Sequence, residues 1–253
     1  MKSVNDPFWA STSRISEAKD DVAVRTALME VLALLGFGGA YSLNPVVADP
    51  RIGRRMNSFG LPKAWEEQYS AGLSLSDPLP RAALKCGGAY RWSEIDRIMR
   101  LSRQQRGYLE TLGQLGMSDG IGIPCYGPGA RRGFLGIGLP HSEASFAPET
   151  ILKLQLAGQL SYQRHCQLNR VLDLANPRLS QRELEVLRWI ARGKSNSVIG
   201  QLLEISRSTV DVYVRRVFDK LGVSDRTSAS VRGLSLGLIA SAHAAEMIEA
   251  LPK

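Results

Sequence analysis

Residues 179–223 read LSQRELEVLRWIARGKSNSVIGQLLEISRSTVDVYVRRVFDKLGV. No other stretch limits the fold as tightly, because it holds three short helical segments, each with its own start and stop. Ser180 and Glu183 have S-x-x-E spacing, so each side chain can satisfy a backbone N–H at a helix start. Leu184, Leu187 and Trp189 to Ala191 supply an apolar face, and Gly193 ends the helix. Ser195 can cap a second helix with Val198, Ile199, Leu202 and Leu203 as its buried side. A short turn around Glu204 and Ile205 follows, and Ser206 caps a third helix that ends at Gly222. On this third helix Val210, Val214, Val217, Phe218 and Leu221 share one face. Arg207, Ser208, Asp211, Arg215 and Lys220 occupy the other. That is a helix-turn-helix whose second helix presents a polar, mostly basic face. Periodicity alone leaves an ordinary helical hairpin with a solvated charged side open as well.

The residues themselves go further. L-S-x-R-E-x-E-V-L-x-W-x-A-x-G-K-S at 179–195, I-S-x-x-T-V at 205–210 and K-L-x-V at 220–223 resemble the DNA-binding domain of the LuxR family of bacterial transcription regulators. By matching position, the resemblance gives Glu183, Leu187 and Gly193 the roles of helix start, core and tight turn. It places Arg207, Ser208, Thr209, Asp211 and Arg215 on the part of a recognition helix that enters the major groove. Arg215 is the candidate base contact, since Arg can grip guanine bidentately. Lys194 and Arg216 are candidates for phosphate. Tyr213 stands where many members have His, and Arg216 where many have Asn, so an unusual target sequence is expected.

A chain of 253 residues is enough for two modest domains. The formal charge is +8; residues 1–177 and 178–253 each carry an excess of four cations, denser in the shorter part. That suits nucleic acid, although many basic proteins bind none. No apolar run is long enough for a membrane span, and MKSVNDPFWASTSRISEAKDD has no signal-peptide core, so a cytoplasmic protein is expected. Cys86, Cys125 and Cys166 are odd in number, widely spaced and form no C-x-x-C pair, which argues for free thiols rather than disulfides or zinc. His141, His165 and His243 make no metal-ligand spacing, so no metal and no cofactor is expected.

The first part of the chain is mixed. An apolar stripe from Val22 to Leu34 predicts a helix over residues 14–36, and residues 38–43 read as a strand. A short amphipathic helix is expected over 62–72, and 91–115 reads as largely helical. Strand-like runs at 120–126 and 133–139 flank a Gly-Pro-Gly turn, and a helical pattern runs from Pro148 to Leu174 before Asn176 and Pro177 break it. The expected fold class is α+β: an N-terminal α/β/α sandwich around a small antiparallel sheet, then an all-α helix-turn-helix domain of about four helices. The expected boundaries are 1–174 for a ligand-binding and dimerisation domain, 175–179 for a linker, and 180–253 for DNA binding.

Trp65 and Tyr69 are four apart and share a helix face; Asp77-Pro78 and Trp92 follow. Taken alone, two aromatics on a helix read as core and Asp-Pro as a turn. W-x-x-x-Y, D-P, a later W and G-I-G-I-P-x-x-G-P-G at 120–129 together resemble the autoinducer-binding domain of quorum-sensing LuxR-type receptors. That family's ligand, an N-acyl-homoserine lactone, presents a lactone carbonyl, an amide N–H, an acyl carbonyl and an apolar tail. The resemblance implies that Trp65 donates its indole N–H, Asp77 accepts from the amide, Tyr69 donates to the acyl carbonyl and Trp92 walls the lactone ring. Ile121, Ile123 and Leu135 are candidates to line the tail. Two positions depart: Leu61 replaces a common Tyr, and the Tyr69–Asp77 interval is one residue short. The ligand is therefore expected to be an unusual acyl-homoserine lactone, or a different small molecule in a receptor without its own synthase. The resemblance also implies a homodimer on double-stranded DNA with a near-palindromic site, with RNA polymerase as a possible partner. The homodimer is expected to form through the long helix at 148–174 and the helix after Asp225, which SAHAAEMIEALPK prolongs.

A phosphorylation-gated regulator shares such a DNA-binding domain. It needs a phosphoacceptor Asp after an apolar strand, whereas Asp20-Asp21 precedes a helix. An enzyme is disfavoured: the Gly-rich stretches form neither G-x-G-x-x-G nor a P-loop, and Glu66 and Glu67 diverge on a helix.

Overall fold

A computed structural model describes residues 6–49, 53–128, 131–169, 178–236 and 238–239. The chain divides into two compact units, one comprising Met1–Gly127 with Arg132–Asn169 and the other running C-terminally from Arg170. The end of the long helix expected to reach Leu174, most of the expected linker and the segment SAHAAEMIEALPK lie outside the described residues.

The first unit is built on a five-stranded antiparallel sheet of order β2-β1-β5-β4-β3. Its strands are β1 (Phe37–Asp49), β2 (Gly53–Phe59), β3 (Tyr90–Arg91), β4 (Gly120–Tyr126) and β5 (Arg132–Pro140). Strand alternation sorts the side chains to two faces. Ala40, Ile121, Ile123, Cys125, Leu135 and Ile137 form one core with α1 (Pro7–Glu17), α2 (Asp21–Leu34) and α7 (Pro148–Leu168). Tyr41, Leu43, Tyr90 and Phe134 form the other with α3 (Lys63–Ser70), α4 (Leu79–Cys86), α5 (Ile95–Ile98) and α6 (Arg103–Gln114). The sheet is thus the middle of three layers, as the α/β/α expectation had it.

The local differences have local causes. The helix expected over 14–36 is two helices: Ala18 leaves helical geometry at ψ 134°, and the Asp20 side chain accepts from the Ala23 N–H at 2.7 Å to start α2. β1 runs past Leu43 to Asp49 because it gains an edge partner in β2, whose sequence GRRMNSF carries little apolar alternation. α4 was not expected; in LPRAALKC, Leu79, Ala82 and Ala83 make one narrow buried stripe. Residues 91–115 open in a strand, not a helix, and break at Met99, which is extended; Ser102 and Gln105 then start α6 with reciprocal caps.

The second unit contains α8 (Gln181–Ala191), α9 (Asn196–Leu203), α10 (Arg207–Leu221) and α11 (Arg226–Ser235). Ser180 and Glu183 make the reciprocal cap that their spacing requires. Ser195 and Ser206 cap α9 and α10, and Gly193 and Gly222 take positive φ of 74° and 60° where α8 and α10 end. α9 departs from the expected pattern. Ile199 and Gly200 are its buried residues, while Val198 and Leu202 are exposed, because an eight-residue helix has room for only one stripe.

Candidate ligand pocket and DNA-binding surface

On the second face of the sheet, α3 projects Trp65 and Tyr69 one turn apart onto Tyr41 of β1. The Tyr41–Trp65 ring centroids are 4.8 Å apart and those of Trp65 and Tyr69 are 4.7 Å apart. Tyr108 of α6 and Phe134 of β5 extend this aromatic cluster. The chain between Tyr69 and Asp77 turns at Gly72 and forms a single 3₁₀ turn, Leu73–Ser76, which delivers Asp77 to the cluster. Asp77 Oδ1 accepts from the Leu79 N–H at 2.9 Å and so starts α4. Its Oδ2 accepts from the hydroxyls of Tyr41 and Tyr69, each at 2.9 Å.

Space for these rings comes from glycine. Gly120, Gly122, Gly136 and Gly138 alternate with Ile121, Ile123, Leu135 and Ile137 and face the aromatic side. A Cβ on Gly122 would lie 2.5 Å from the Tyr90 ring, and one on Gly136 would collide with Tyr41. Trp92 lies over Gly120 and Gly138. Trp65, Tyr69, Asp77 and Trp92 therefore share one cluster. Ile121, Ile123 and Leu135 do not join it: strand alternation sends them to the opposite face, against α2 and α7. Tyr41 and Tyr108 are members that the sequence reading passed over. The one available signal was that Tyr41 alternates with Ala40 in β1.

Three donors in this cluster make no well-formed hydrogen bond, although Trp65 and Tyr41 both lie near the Tyr108 hydroxyl. Trp65 Nε1, Trp92 Nε1 and the Tyr108 hydroxyl are buried without a hydrogen-bond partner. Burial, and after it the Asp77 carboxylate, raises the pKa of the Tyr41 and Tyr108 hydroxyls well above the ordinary tyrosine value, so both stay protonated. The site thus brings together one carboxylate acceptor and, at Trp65, Trp92 and Tyr108, N–H and O–H donors without well-formed hydrogen bonds inside an apolar shell.

In the second unit, Lys194, Arg207, Ser208, Thr209, Asp211, Arg215 and Arg216 are all exposed. Arg207, Asp211 and Arg215 follow one another at one-turn spacing along α10. Ser208, Thr209, Val212, Tyr213 and Arg216 line a shallow concavity beside them. Asp211 is tied sideways. Asn196 Nδ2 of α9 donates to its Oδ1 at 2.6 Å, and Arg226 of α11 donates to Asn196 Oδ1 at 2.5 Å and also to the Lys194 carbonyl. Asn196 and Arg226, which the sequence reading did not single out, thereby fix α10 against its neighbours. Beneath, Glu183 is buried and accepts from Lys220 Nζ at 2.6 Å and from the Ser180 N–H at 2.7 Å. Burial pushes the Glu183 carboxyl up, but the Lys220 ammonium and the Ser180 N–H outweigh it and hold its pKa below the ordinary value. Among the described residues no cluster of His, Cys, Asp and Glu could hold a metal ion, and no helix is long and apolar enough to cross a membrane.

A family profile described as "Autoinducer binding domain" matches residues 22–165, and one described as "Bacterial regulatory proteins, luxR family" matches 177–232. The chain belongs to the LuxR family of quorum-sensing transcription regulators. The quorum-sensing regulator RhlR of Pseudomonas aeruginosa is 30% identical over 184 residues, covering 70% of this chain and 73% of RhlR. The putative HTH-type transcriptional regulator y4qH of Sinorhizobium fredii is 28% identical over 92% of this chain and 74% of its own. The fold is that of SdiA from Escherichia coli: TM-score 0.72, 24% identity, 93% of this chain and all of that one. These LuxR-family relatives are transcription regulators, not enzymes. The family's two modules, one for DNA and one for an autoinducer, correspond to the two units of this chain.

Proposed function

We propose that this LuxR-family regulator senses an N-acyl-homoserine lactone in the aromatic cluster of the first unit. The observation that carries the reading is the buried Trp65 indole N–H, which makes no well-formed hydrogen bond in the cluster that holds Asp77 and has only the Tyr108 hydroxyl near it. Leaving a buried donor unpaired costs about 1–3 kcal/mol, which a bound carbonyl would recover. The ligand's lactone carbonyl accepts from Trp65, its amide N–H donates to Asp77, and its acyl carbonyl accepts from Tyr69 or Tyr41, whose one hydroxyl proton turns from Asp77 to the ligand as the amide N–H replaces it. Trp92 walls the lactone ring. The acyl tail lies on the glycine-lined face of the sheet, not on the face of Ile121, Ile123 and Leu135.

The regulator works as a cytoplasmic homodimer, with α7 and α11 contributing to a two-fold interface. Leu152 and Leu156 of α7 are exposed one turn apart and supply apolar surface for it. Two copies of α10 read the two halves of a near-palindromic site. Ligand binding raises the population of the binding-competent form. A second acyl ligand is admitted by one observation: SdiA, the fold relative, has also been solved with octanoyl-rac-glycerol (22% identity, TM-score 0.69, 94% and 98% coverage). Purified protein titrated with lactones of increasing tail length and with an acylglycerol, and followed by melting temperature, tests the reading. A rise with a lactone supports it; a rise with the acylglycerol alone replaces the ligand; no rise with either removes the pocket assignment.

A further inference from the structure

The first face of the sheet carries a cavity separate from the aromatic cluster. Between α2 and α7 lies a cleft of about 130 Å³ floored by Ser42 and Asn44 of β1, Asn57 of β2 and Leu135 of β5. In the sheet register Ser42 is flanked by Asn57 on one side and Leu135 on the other. Three hydrogen-bonding side chains therefore adjoin on a face whose other members, such as Ala40, Ile121 and Ile137, are buried and apolar. Leu28 and Phe59 give the cleft apolar walls, and Ser161 and Tyr162 of α7 add hydroxyls. The Asn44 side-chain oxygen is buried and accepts no hydrogen bond.

The mouth of the cleft is charged. Asp21 is engaged: His165 Nδ1 lies 2.8 Å from its Oδ1, and Asn169 Nδ2 donates to its Oδ2 at 3.1 Å. Arg25, one turn further along α2, also lines the cleft, is exposed, and has no carboxylate partner among the described residues. Cys125 closes the back of the cleft, and burial pushes its thiol up to about 12, so it stays uncharged. Apolar walls, a few convergent polar groups and a cation at the opening are the composition of a small-molecule site.

We propose that this cleft is a second effector site, for a small carboxylic acid that also carries a hydroxyl or N–H. The carboxylate pairs with Arg25 at the mouth, and the donor reaches Asn44 Oδ1 at the floor. A cavity of about 150 Å³ holds benzene, so this cleft of about 130 Å³ takes an apolar part no larger than one six-membered ring, with the carboxylate left at the mouth. Bound there, it joins α2 to α7 on the reverse of the sheet from the lactone site.

Three probes separate the contributions: 4-hydroxybenzoate has both polar groups, benzoate lacks the donor, and phenol lacks the carboxylate. Calorimetric titration of the full chain should give saturable binding of 4-hydroxybenzoate, and weaker binding of the other two. Arg25→Gln and Asn44→Leu should each weaken it roughly tenfold or more, and Trp65→Phe should leave it unchanged. Arg25 is a surface residue, so Arg25→Gln keeps the test decisive even if Asn44→Leu fails to fold. No saturable binding of any probe, equal affinity in wild type and Arg25→Gln, or loss of binding in Trp65→Phe would overturn the proposal. The last result would place the probe in the aromatic cluster instead. The lactone response is measured separately, so either site can fail alone.

Discussion

The Tyr41 hydroxyl donates to Asp77 Oδ2 at 2.9 Å, joining β1 to the start of α4 across 36 positions of sequence. Tyr69 donates to the same oxygen at the same distance. A carboxylate set among aromatic rings thus has two hydroxyl donors without any effector. Tyr41→Phe removes one of them while keeping the ring that covers Gly136. A hydrogen bond to a charged group is worth about 1.5–3 kcal/mol, so the apo protein should melt measurably lower. The deficit should shrink with saturating lactone, whose N–H supplies a donor to Asp77. Differential scanning calorimetry with and without ligand checks both parts; an equal deficit in the two states would show that Tyr41 acts only on the fold.

The two faces of the sheet make opposite predictions. Ile123 packs toward α2 and α7, so Ile123→Ala should cost about 2–5 kcal/mol of stability while leaving lactone affinity unchanged. Gly136→Ala places a methyl group against the Tyr41 ring and should damage lactone binding more than stability. Melting curves and ligand titrations of both variants check this; a loss of lactone affinity in folded Ile123→Ala would return the tail to the first face.

In the second unit, Arg215 is exposed on α10 and is not among that helix's buried residues. Arg215→Ala should leave melting unchanged and cost about 1–3 kcal/mol of specific DNA affinity, the worth of one bidentate base contact. Gel shifts on a site selected in vitro with the wild-type protein check the assignment. Wild-type affinity in the variant would remove Arg215 from the base-reading face.

Glu183 gives the helix-turn-helix a pH dependence of known sign. Its folded pKa lies below the ordinary glutamate value of about 4.3, so the stability it contributes is complete above that value and is lost as pH falls through it toward the folded pKa. Asp225, the exposed cap of α11, is shifted the same way, chiefly by its bonds to Ser228. Acid titration of melting temperature should therefore be shallower in Glu183→Gln than in wild type. Parallel curves would show that the Lys220 pair adds nothing net.

Much of this architecture was legible where chemistry is local. Ser180, Ser195 and Ser206 cap the helices their spacing assigned to them, and Gly193 and Gly222 end helices in the left-handed geometry glycine allows. The alternation of glycine with isoleucine in GIGIP and GFLGIG held the answer to which face carries the rings, because only the glycine side has room for them. Treating Ile121, Ile123 and Leu135 as tail-lining residues ignored that alternation. The role of Tyr41, beyond its alternation with Ala40, was illegible for another reason. Its bond to Asp77 depends on a strand register and on the turn Leu73–Ser76, and no spacing in the sequence encodes either. β2 was missed because an edge strand can be polar on both faces, and α4 because eight residues carry too short a stripe to register as periodic.

The central claim is that Trp65 and Asp77 hold an acyl-homoserine lactone. Its most direct test is the midpoint of a lactone dose-response, measured in a DNA-binding assay for wild type, Trp65→Phe and Asp77→Asn, beside apo melting curves. Asn at position 77 can still accept from the Leu79 N–H and keep α4 started, and Phe at position 65 still fills the core, so both variants should fold. If Trp65 and Asp77 hold the lactone, the midpoint should rise roughly tenfold to a hundredfold in each variant. A midpoint unchanged in both, with the same ligand and comparable stability, would contradict the claim.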